Sequence, residues 1–202
     1  MEGNLFSRAL EALKHVKTEE GNTLTKPFLD LCKLLLPLID SFGSSMSCIK
    51  DDVVHNIMKL EAKYGSNPTT YTDLYTMTKE EVHSKTARST SSCTYALVWL
   101  NRAMDFMIQL LSNLLEHPEW TMTQACTDSY KKTLKKWHGW MAVSTFKVLI
   151  KLAPERNKFM DSIGMSSQVN VEIDKLCKTF APVLEDNHKF LASVGVDDLK
   201  AP

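Results

Sequence analysis

The sequence predicts an all-α protein in which about eight helices pack as a two-layer sandwich. Nearly every segment carries apolar residues at helical spacing, and no segment shows the alternation of a strand or an Asn-Gly hairpin. Only 7 glycines and 7 prolines occur in 202 residues, so few positions interrupt a helix. Helices joined by short links favour packing in two layers.

Composition favours one domain spanning residues 1–202, with two smaller domains as the alternative. Hydrophobic residues make up 44% of the chain and charged residues 24%, proportions typical of an ordered protein with an ample core. The 24 Lys and Arg residues balance the 24 Asp and Glu residues, so no net field attracts nucleic acid. We therefore expect no nucleic-acid partner, whereas contact with a membrane is still compatible with this composition.

The 5 cysteines lie far apart, and no two of them form a Cys-x-x-Cys pair. This spacing argues against a zinc cluster and against a dithiol redox site, so we expect neither a metal nor a cofactor. Free thiols are the simplest interpretation, and they are typical of a reducing compartment such as the cytosol. The positions are Cys32, Cys48, Cys93, Cys126 and Cys177.

The apolar runs are too short to cross a membrane. The densest run, residues 34–39, contains Pro37 and is far below the roughly 20 residues that a transmembrane helix needs. The start, Met1-Glu2-Gly3, has no basic segment followed by an apolar run, so we expect no signal peptide. Together these features predict a soluble cytosolic protein.

The first two helices are predicted from apolar spacing and from start and stop signals. The first covers about residues 5–17. Thr25 is expected to cap the second, with Pro27 in its first turn, and Gly43 to end it. Because the second helix is apolar on almost all sides, we expect it to be central and kinked at Pro37.

Six further helices follow from the same signals. We expect the sixth to be a single long helix. The third helix is expected to end near Tyr64, and the fourth and fifth to cover about residues 71–85 and 92–115. The sixth is expected at about residues 123–152. The last two are expected at 155–163 and 169–194, with a bend near Pro182.

The third helix carries a polar ridge, defined as Asp52, Asn56 and Lys59. At about 100° per residue, these positions lie within about 60° of one another. They place an acceptor, an amide and a cationic donor beside an apolar stripe. Such a mixed set of hydrogen-bonding groups fits a sugar or an amide. The alternative, which spacing alone favours, is a solvated helix face stabilised by i,i+4 pairs.

Two tryptophan-containing segments are further candidates for binding. Trp99 lies beside Asn101 and Arg102, and its ring offers a flat face for a sugar, with a core tryptophan as the alternative. In a continuous sixth helix, His138 and Trp140 lie about 200° apart, so one points inward and the other outward. An outward tryptophan flanked by lysines is typical of a membrane interface, and packing inside the protein is the alternative.

Taken together, these segments resemble the glycolipid transfer protein family. The resemblance covers almost the whole chain, and the sequence is most similar to plant members. The matching segments are Lys26-Pro27-Phe28-Leu29, the polar ridge, Ala96–Leu100 with Arg102, Leu134–Trp140, the Met1-Glu2-Gly3 start and the tail His188–Gly195.

The family implies a sugar-headgroup site at the surface and a hydrophobic tunnel between the two helical layers. By this resemblance, Asp52 binds the ceramide amide and sugar hydroxyls, and Asn56 and Lys59 bind the sugar. Trp99 stacks under the sugar ring, and His138 donates to the ceramide carbonyl. Further implied positions are Trp140 at the membrane and the tunnel residues Phe42, Phe106, Phe146 and Phe159.

The resemblance implies ATP-independent transfer of a glycosphingolipid between membranes, with transient membrane contact and no catalytic residue. The absence of a Gly-rich phosphate loop, a GxSxG and an HExxH motif also disfavours an enzyme. A glucosylceramide-type ligand is favoured over ceramide-1-phosphate, because Arg102 is a single cation and Asp105 is expected to oppose a phosphate. A sphingolipid sensor or adaptor with an unidentified protein partner is the other alternative, since it needs the same pocket.

Two features depart from the family pattern. Val54 and His55 occupy positions where relatives tend to have small residues, and His55 is expected to crowd or titrate beside the sugar. The C-terminus, residues 194–202, lacks the tyrosine of animal members. The first departure predicts an effect on affinity or on the accepted sugar size.

Overall fold

The computed structural model describes residues 3–201, and within them the chain forms α-helices and no strand. This confirms the all-helical class. Met1 and Glu2, which carry part of the plant-type start, lie outside the described range. Between residues 3 and 201, no helix is both long enough and apolar enough to cross a bilayer. The helices are α1 (Leu5–Leu13), α2 (Thr25–Asp40), α3 (Ser47–Ser66), α4 (Tyr75–His83), α5 (Cys93–Glu116), α6 (Met122–Thr133), α7 (Trp140–Lys151), α8 (Arg156–Ser162) and α9 (Ser167–Ser193).

Five helices form a closed ring of contacts. α1 packs on α2, α2 on α3, α3 on α5 and α5 on α9, and α9 returns to α1. α4 and α6 also pack on α5, and α7 contacts α6. The helix in contact with most of the others is therefore α5, although apolar composition favoured α2 as the central helix. An all-round apolar helix is buried, but its composition does not tell how many neighbours surround it.

A chain of polar side chains crosses the core and connects three helices. Asn101 on α5 is fully buried, and its amide donates to Leu184 O on α9 at 3.1 Å. Its side-chain oxygen accepts from Asn187 at 2.8 Å, and Asn187 accepts from the Tyr75 hydroxyl at 2.8 Å. Because each buried polar group has a partner, these bonds fix α4 and α9 on α5 without the cost of an unsatisfied group.

The predicted long sixth helix is wrong, because the chain leaves α-helical geometry between α6 and α7. A 3₁₀ turn covers Lys135–Trp137, and His138 is extended, with φ −93° and ψ 133°. Gly139 N–H donates to Ala201 O, and Ala201 N–H donates to Trp137 O, both at 3.0 Å. These bonds to the C-terminus satisfy backbone groups that a continuous helix would use internally.

The predicted cap at Thr25 is also wrong. Thr25 is the first residue of α2, and the preceding Leu24 provides no side-chain cap. The Thr25 hydroxyl instead donates to Tyr71 O at 2.5 Å, and its N–H donates to Thr72 O at 2.9 Å. Thr25 therefore anchors the start of α2 to the segment that leads into α4.

The last described residues form a strap, defined as residues 196–201, that lies against α5 and the 3₁₀ turn. Val196 and Leu199 are buried. Arg88 holds the beginning of the strap, since its Nη1 donates to Gly195 O and to the Asp198 carboxylate, both at 2.9 Å. The C-terminus is thus part of the packed structure.

His188 on α9 lies between two carboxylates. Its Nδ1 is 2.9 Å from Asp197 Oδ1 on the strap, and its Nε2 is 2.5 Å from Asp105 Oδ2 on α5. Burial alone lowers the pKa of His188, but hydrogen bonds to the two carboxylates and their negative charges raise that pKa to about 9. At neutral pH the charged imidazole therefore joins α5, α9 and the strap.

This raised pKa predicts a pH-dependent stability. Because the folded-state pKa of about 9 exceeds the ordinary 6.5, the contribution is complete below pH 6.5 and is lost as the pH rises through 9. The free energy of unfolding of the wild type should fall by about 2 kcal/mol more over that window than that of His188→Gln. Urea unfolding at a series of pH values measures this difference.

A matched control is His83→Gln, since His83 lies exposed at the end of α4. Its pH profile should follow that of the wild type. Parallel profiles for the wild type and His188→Gln would contradict the charged link.

Candidate ligand-binding site

A small apolar pocket lies where α2, α3, α5 and α7 meet. Its volume is about 100 Å³, and Asp52 and His138 are the ionisable residues in its wall. The remaining wall is apolar and aromatic. Such a pocket, with a few polar groups at its edge, fits a ligand that combines an apolar body with a polar end. The main apolar contributors are Ile39, Phe42, Met46, Val53, Trp99, Phe106 and Phe146.

The polar ridge lies on α3, and of its three residues Asp52 lines this pocket. Asp52 is exposed, Asn56 is buried and Lys59 is half-buried. Lys59 Nζ lies 3.5 Å from Thr90 O, while the side chains of Asp52 and Asn56 hydrogen-bond to no residue in the described range 3–201. Partial burial raises the pKa of Asp52, and the nearby His55 opposes that shift. Asp52 thus offers an unused acceptor to a ligand in the pocket.

Trp99 forms one wall of the pocket, but little of its ring is accessible. The side chain is 9% exposed. The His138 ring stacks on it at a centroid distance of 5.5 Å and 25°, and the Arg102 guanidinium lies 4.8 Å from its centroid. A sugar therefore reaches the ring face only if His138 moves aside, and the role of Trp99 as a platform stays a prediction.

His138 is held as a neutral hydrogen-bonding group. Burial and, to a smaller extent, the positive charge of Arg102 lower its pKa to about 4. Its Nδ1 lies 3.1 Å from the Tyr130 hydroxyl, and burial raises the pKa of Tyr130, so the phenol keeps its proton. When the Tyr130 hydroxyl donates to Nδ1, the proton of His138 lies on Nε2, where it can be donated to a carbonyl oxygen. Tyr130 is a residue that the sequence did not indicate, because only the bend before α7 brings it to His138.

The structure brings the predicted aromatic residues together. Phe42, Phe106 and Phe146 line the pocket. Phe159 packs behind them, with its ring 4.9 Å from that of Phe42. On the outer surface, 79% of Trp140 is exposed, and exposed apolar neighbours on and beside α7 extend this surface. Those neighbours are Met141, Val148 and Leu152.

The predicted role of Asp105 is wrong. Asp105 binds His188 and lines a different cleft of about 610 Å³, bounded by α5, α6 and α9. It lies six residues after Trp99, which is about 240° around the helix, so the two side chains face different directions. Arg102 is 0% exposed, and its two terminal nitrogens donate to carbonyls of the strap. Neither residue is placed to read a headgroup charge at the small pocket.

Comparison with known proteins relates this geometry to one family. A family model described as glycolipid transfer protein matches residues 23–165, a segment that includes the polar ridge, Trp99 and His138. Glycolipid transfer protein 1 of Arabidopsis thaliana is 54% identical over 201 residues, which cover 100% of both chains. Glycolipid transfer protein of Danio rerio is 33% identical over 162 residues, 75% of this chain and 77% of the fish protein.

Solved structures share the fold. A structure on how FAPP2 selects simple glycosphingolipids with the GLTP fold superposes with a TM-score of 0.84 at 24% identity, over 98% of this chain and 100% of that chain. Human ceramide-1-phosphate transfer protein bound to 12:0 ceramide-1-phosphate superposes with a TM-score of 0.86 at 22% identity, over 97% and 99%. At these identities the likeness shows the fold alone.

The protonation state of His138 is open to direct measurement. We expect its imidazole to titrate near pH 4, because burial disfavours the charged ring, and to carry its proton on Nε2 at neutral pH, the tautomer in which Nδ1 accepts from Tyr130. Nitrogen-15 NMR of the histidine rings reports both properties. In Tyr130→Phe the preference for the Nε2 proton should weaken, and a titration of His138 near pH 6.5 in the wild type would contradict the geometry.

Proposed function

The chain belongs to the glycolipid transfer protein family, and from that premise we propose that it carries a glucosylceramide-type glycosphingolipid between membranes without ATP and without catalysis. The observation that carries the proposal is an apolar pocket whose wall includes two polar side chains, Asp52 and neutral His138. Asp52 is available to sugar hydroxyls and to the ceramide amide, and His138 to the amide carbonyl, while Asn56, one turn further along α3, is assigned to the sugar. Lys59 completes the set as a donor to the sugar.

The charge of the site favours a sugar over a phosphate. A phosphate is bound best by converging cationic side chains with free N–H groups. Arg102, the arginine nearest to the pocket, donates both terminal nitrogens to strap carbonyls and is fully buried. At the ridge itself, Lys59 Nζ lies 3.5 Å from Thr90 O, and Asp52 in the pocket wall is an acid that opposes a phosphate. Ceramide-1-phosphate is therefore the less favoured alternative.

Lipid binding requires the pocket to open. Its volume of about 100 Å³ is smaller than the roughly 150 Å³ cavity that accepts one benzene molecule. A ceramide has on the order of 30 methylenes, each worth about 0.8 kcal/mol when removed from water. We propose that Phe42, Phe106 and Phe146 separate as the chains enter. Exchange between two apolar surroundings is then nearly neutral in free energy, so no ATP is needed.

The exposed surface of α7 is the proposed membrane contact. Trp140, Met141 and Val148 present apolar side chains to solvent, and Lys147 and Lys151 flank them. An amphipathic helix with these residue types lies in the interface, with rings at headgroup depth and ammonium groups near phosphate. This contact brings the pocket mouth, through His138, next to the bilayer.

A sensor or adaptor is the alternative function, and it uses the same pocket. It differs from a carrier because it retains the lipid and binds a protein partner.

The proposed ligand class is tested by transfer between liposomes that contain one labelled lipid each. Glucosylceramide and galactosylceramide should move at least about tenfold faster than ceramide-1-phosphate, because an unmatched buried polar group costs about 1–3 kcal/mol. Faster movement of the phosphate lipid would contradict the headgroup assignment. Binding of glucosylceramide without transfer would instead favour the sensor.

Asp52→Val tests the polar ridge. Valine is similar in size to aspartate but accepts no hydrogen bond. Transfer of glucosylceramide should therefore fall about tenfold or more. Because Asp52 is exposed, the melting temperature should change little. Trp99→Ala is a poorer test, since removing a buried tryptophan costs about 3–5 kcal/mol of stability.

Asp51→Val is the matched control, because Asp51 is the exposed preceding residue and does not line the pocket. It should transfer the lipid at the wild-type rate. Equal losses in both variants, or no loss in either, would remove Asp52 from the site.

A further inference from the structure

A buried arginine joins the candidate pocket to the strap. Arg102 is 0% exposed, and its Nη1 and Nη2 donate to Leu199 O at 2.6 Å and to Asp197 O at 2.7 Å. The Asp197 carboxylate lies 3.9 Å from Nη2. Arg102 therefore holds two backbone positions of the strap at once, which requires the planar fork of a guanidinium.

The same guanidinium lies between two indole rings. It is 4.8 Å from the ring centroid of Trp99 and 4.0 Å from that of Trp137. On the pocket side, His138 stacks on Trp99, and next to Trp137 the ammonium of Lys136 lies 4.4 Å from its ring centroid. A guanidinium stacks on aromatic faces through both its charge and its flat shape. The result is a continuous stack from the pocket wall to the 3₁₀ turn.

We propose that Arg102 is a positioning residue for headgroup binding, which fixes the orientation of Trp99 by tying the Trp99–Trp137 stack to the strap. The inference rests on the proposed function and deepens it, because it adds a residue that never touches the lipid. Both terminal nitrogens of Arg102 donate to strap carbonyls, so they are not available to a ligand. Its effect on the sugar passes through Trp99.

The strap reaches the pocket by a second route that agrees with this role. Ala201 exchanges backbone hydrogen bonds with Trp137 and Gly139, the two neighbours of His138. Arg102 holds the strap at residues 197 and 199, just before this contact. The position of Arg102 therefore affects Trp99 directly and His138 through the strap.

Arg102→Lys is the test, because lysine keeps the charge but cannot bridge two carbonyls. Affinity for short-chain glucosylceramide, measured by titration in solution, should fall about tenfold, the scale expected when hydrogen bonds to a charged group are lost. Affinity for short-chain ceramide, which has no sugar to stack on Trp99, should fall much less. A purely structural role would instead lower both affinities equally, together with the melting temperature.

Indole nitrogen-15 NMR gives a readout that needs no lipid. The chain has 4 tryptophans, so its indole resonances can be assigned individually. In Arg102→Lys the resonances of Trp99 and Trp137 should shift, while those of Trp120 and Trp140 should stay in place. Unshifted Trp99 and Trp137 resonances would overturn the proposal, even if the wild type were to bind no glycolipid and the proposed function failed.

Arg88→Lys is the matched control, because Arg88 also holds the strap but contacts neither indole ring. It should leave the ratio of the two affinities unchanged, and a loss as large as that of Arg102→Lys would assign the effect to strap anchoring alone. A chain that ends at Asp198 provides a second variant if Arg102→Lys does not fold. It removes the Leu199 acceptor and the Ala201 pairing while keeping Arg102, so the indole resonance of Trp99 should shift, and an unshifted Trp99 resonance would overturn the proposal.

Discussion

The spacing between Trp99 and Trp137 depends on the guanidinium of Arg102 that lies between them. A buried cation is compatible with a stable fold only if hydrogen bonds and counter-charges replace its hydration. Two strap carbonyls and the Asp197 carboxylate replace part of this hydration, while Nε of Arg102 has no hydrogen-bond partner among the described residues. Burial lowers the pKa of Arg102 to about 10, which leaves it charged at neutral pH. The wall of the candidate site is thus built from residues that are far apart in the sequence.

Helix α5 separates two cavities of different character. The side facing Trp99 and Phe106 borders the apolar pocket of about 100 Å³, and the side facing Asp105 borders a cleft of about 610 Å³ whose wall mixes apolar side chains with charged ones. A ceramide needs apolar walls, so the smaller cavity is the one whose chemistry fits a sphingolipid. Its size then implies that function depends on movement of packed aromatic side chains.

Local sequence patterns predicted much of this arrangement. The helices follow from apolar spacing, and the polar ridge beside the pocket follows from the positions of Asp52 and Asn56 on one helix face. The break before α7 was not predictable, because it depends on pairing with Ala201 at the far end of the chain. The burial of Arg102 was hidden for the same reason, since its acceptors are backbone carbonyls of the strap. The error about Asp105 was avoidable, because helical periodicity already places it away from Trp99.

The central claim is that the small apolar pocket, and not the larger cleft, receives the sugar lipid. Chemical-shift mapping of backbone amides during titration with short-chain glucosylceramide tests it most directly. The account predicts the largest shifts around Asp52, Asn56 and His138, with the cleft around Asp105 and Lys178 unchanged. Shifts concentrated at Asp105 and Lys178, with none at the polar ridge, would contradict it.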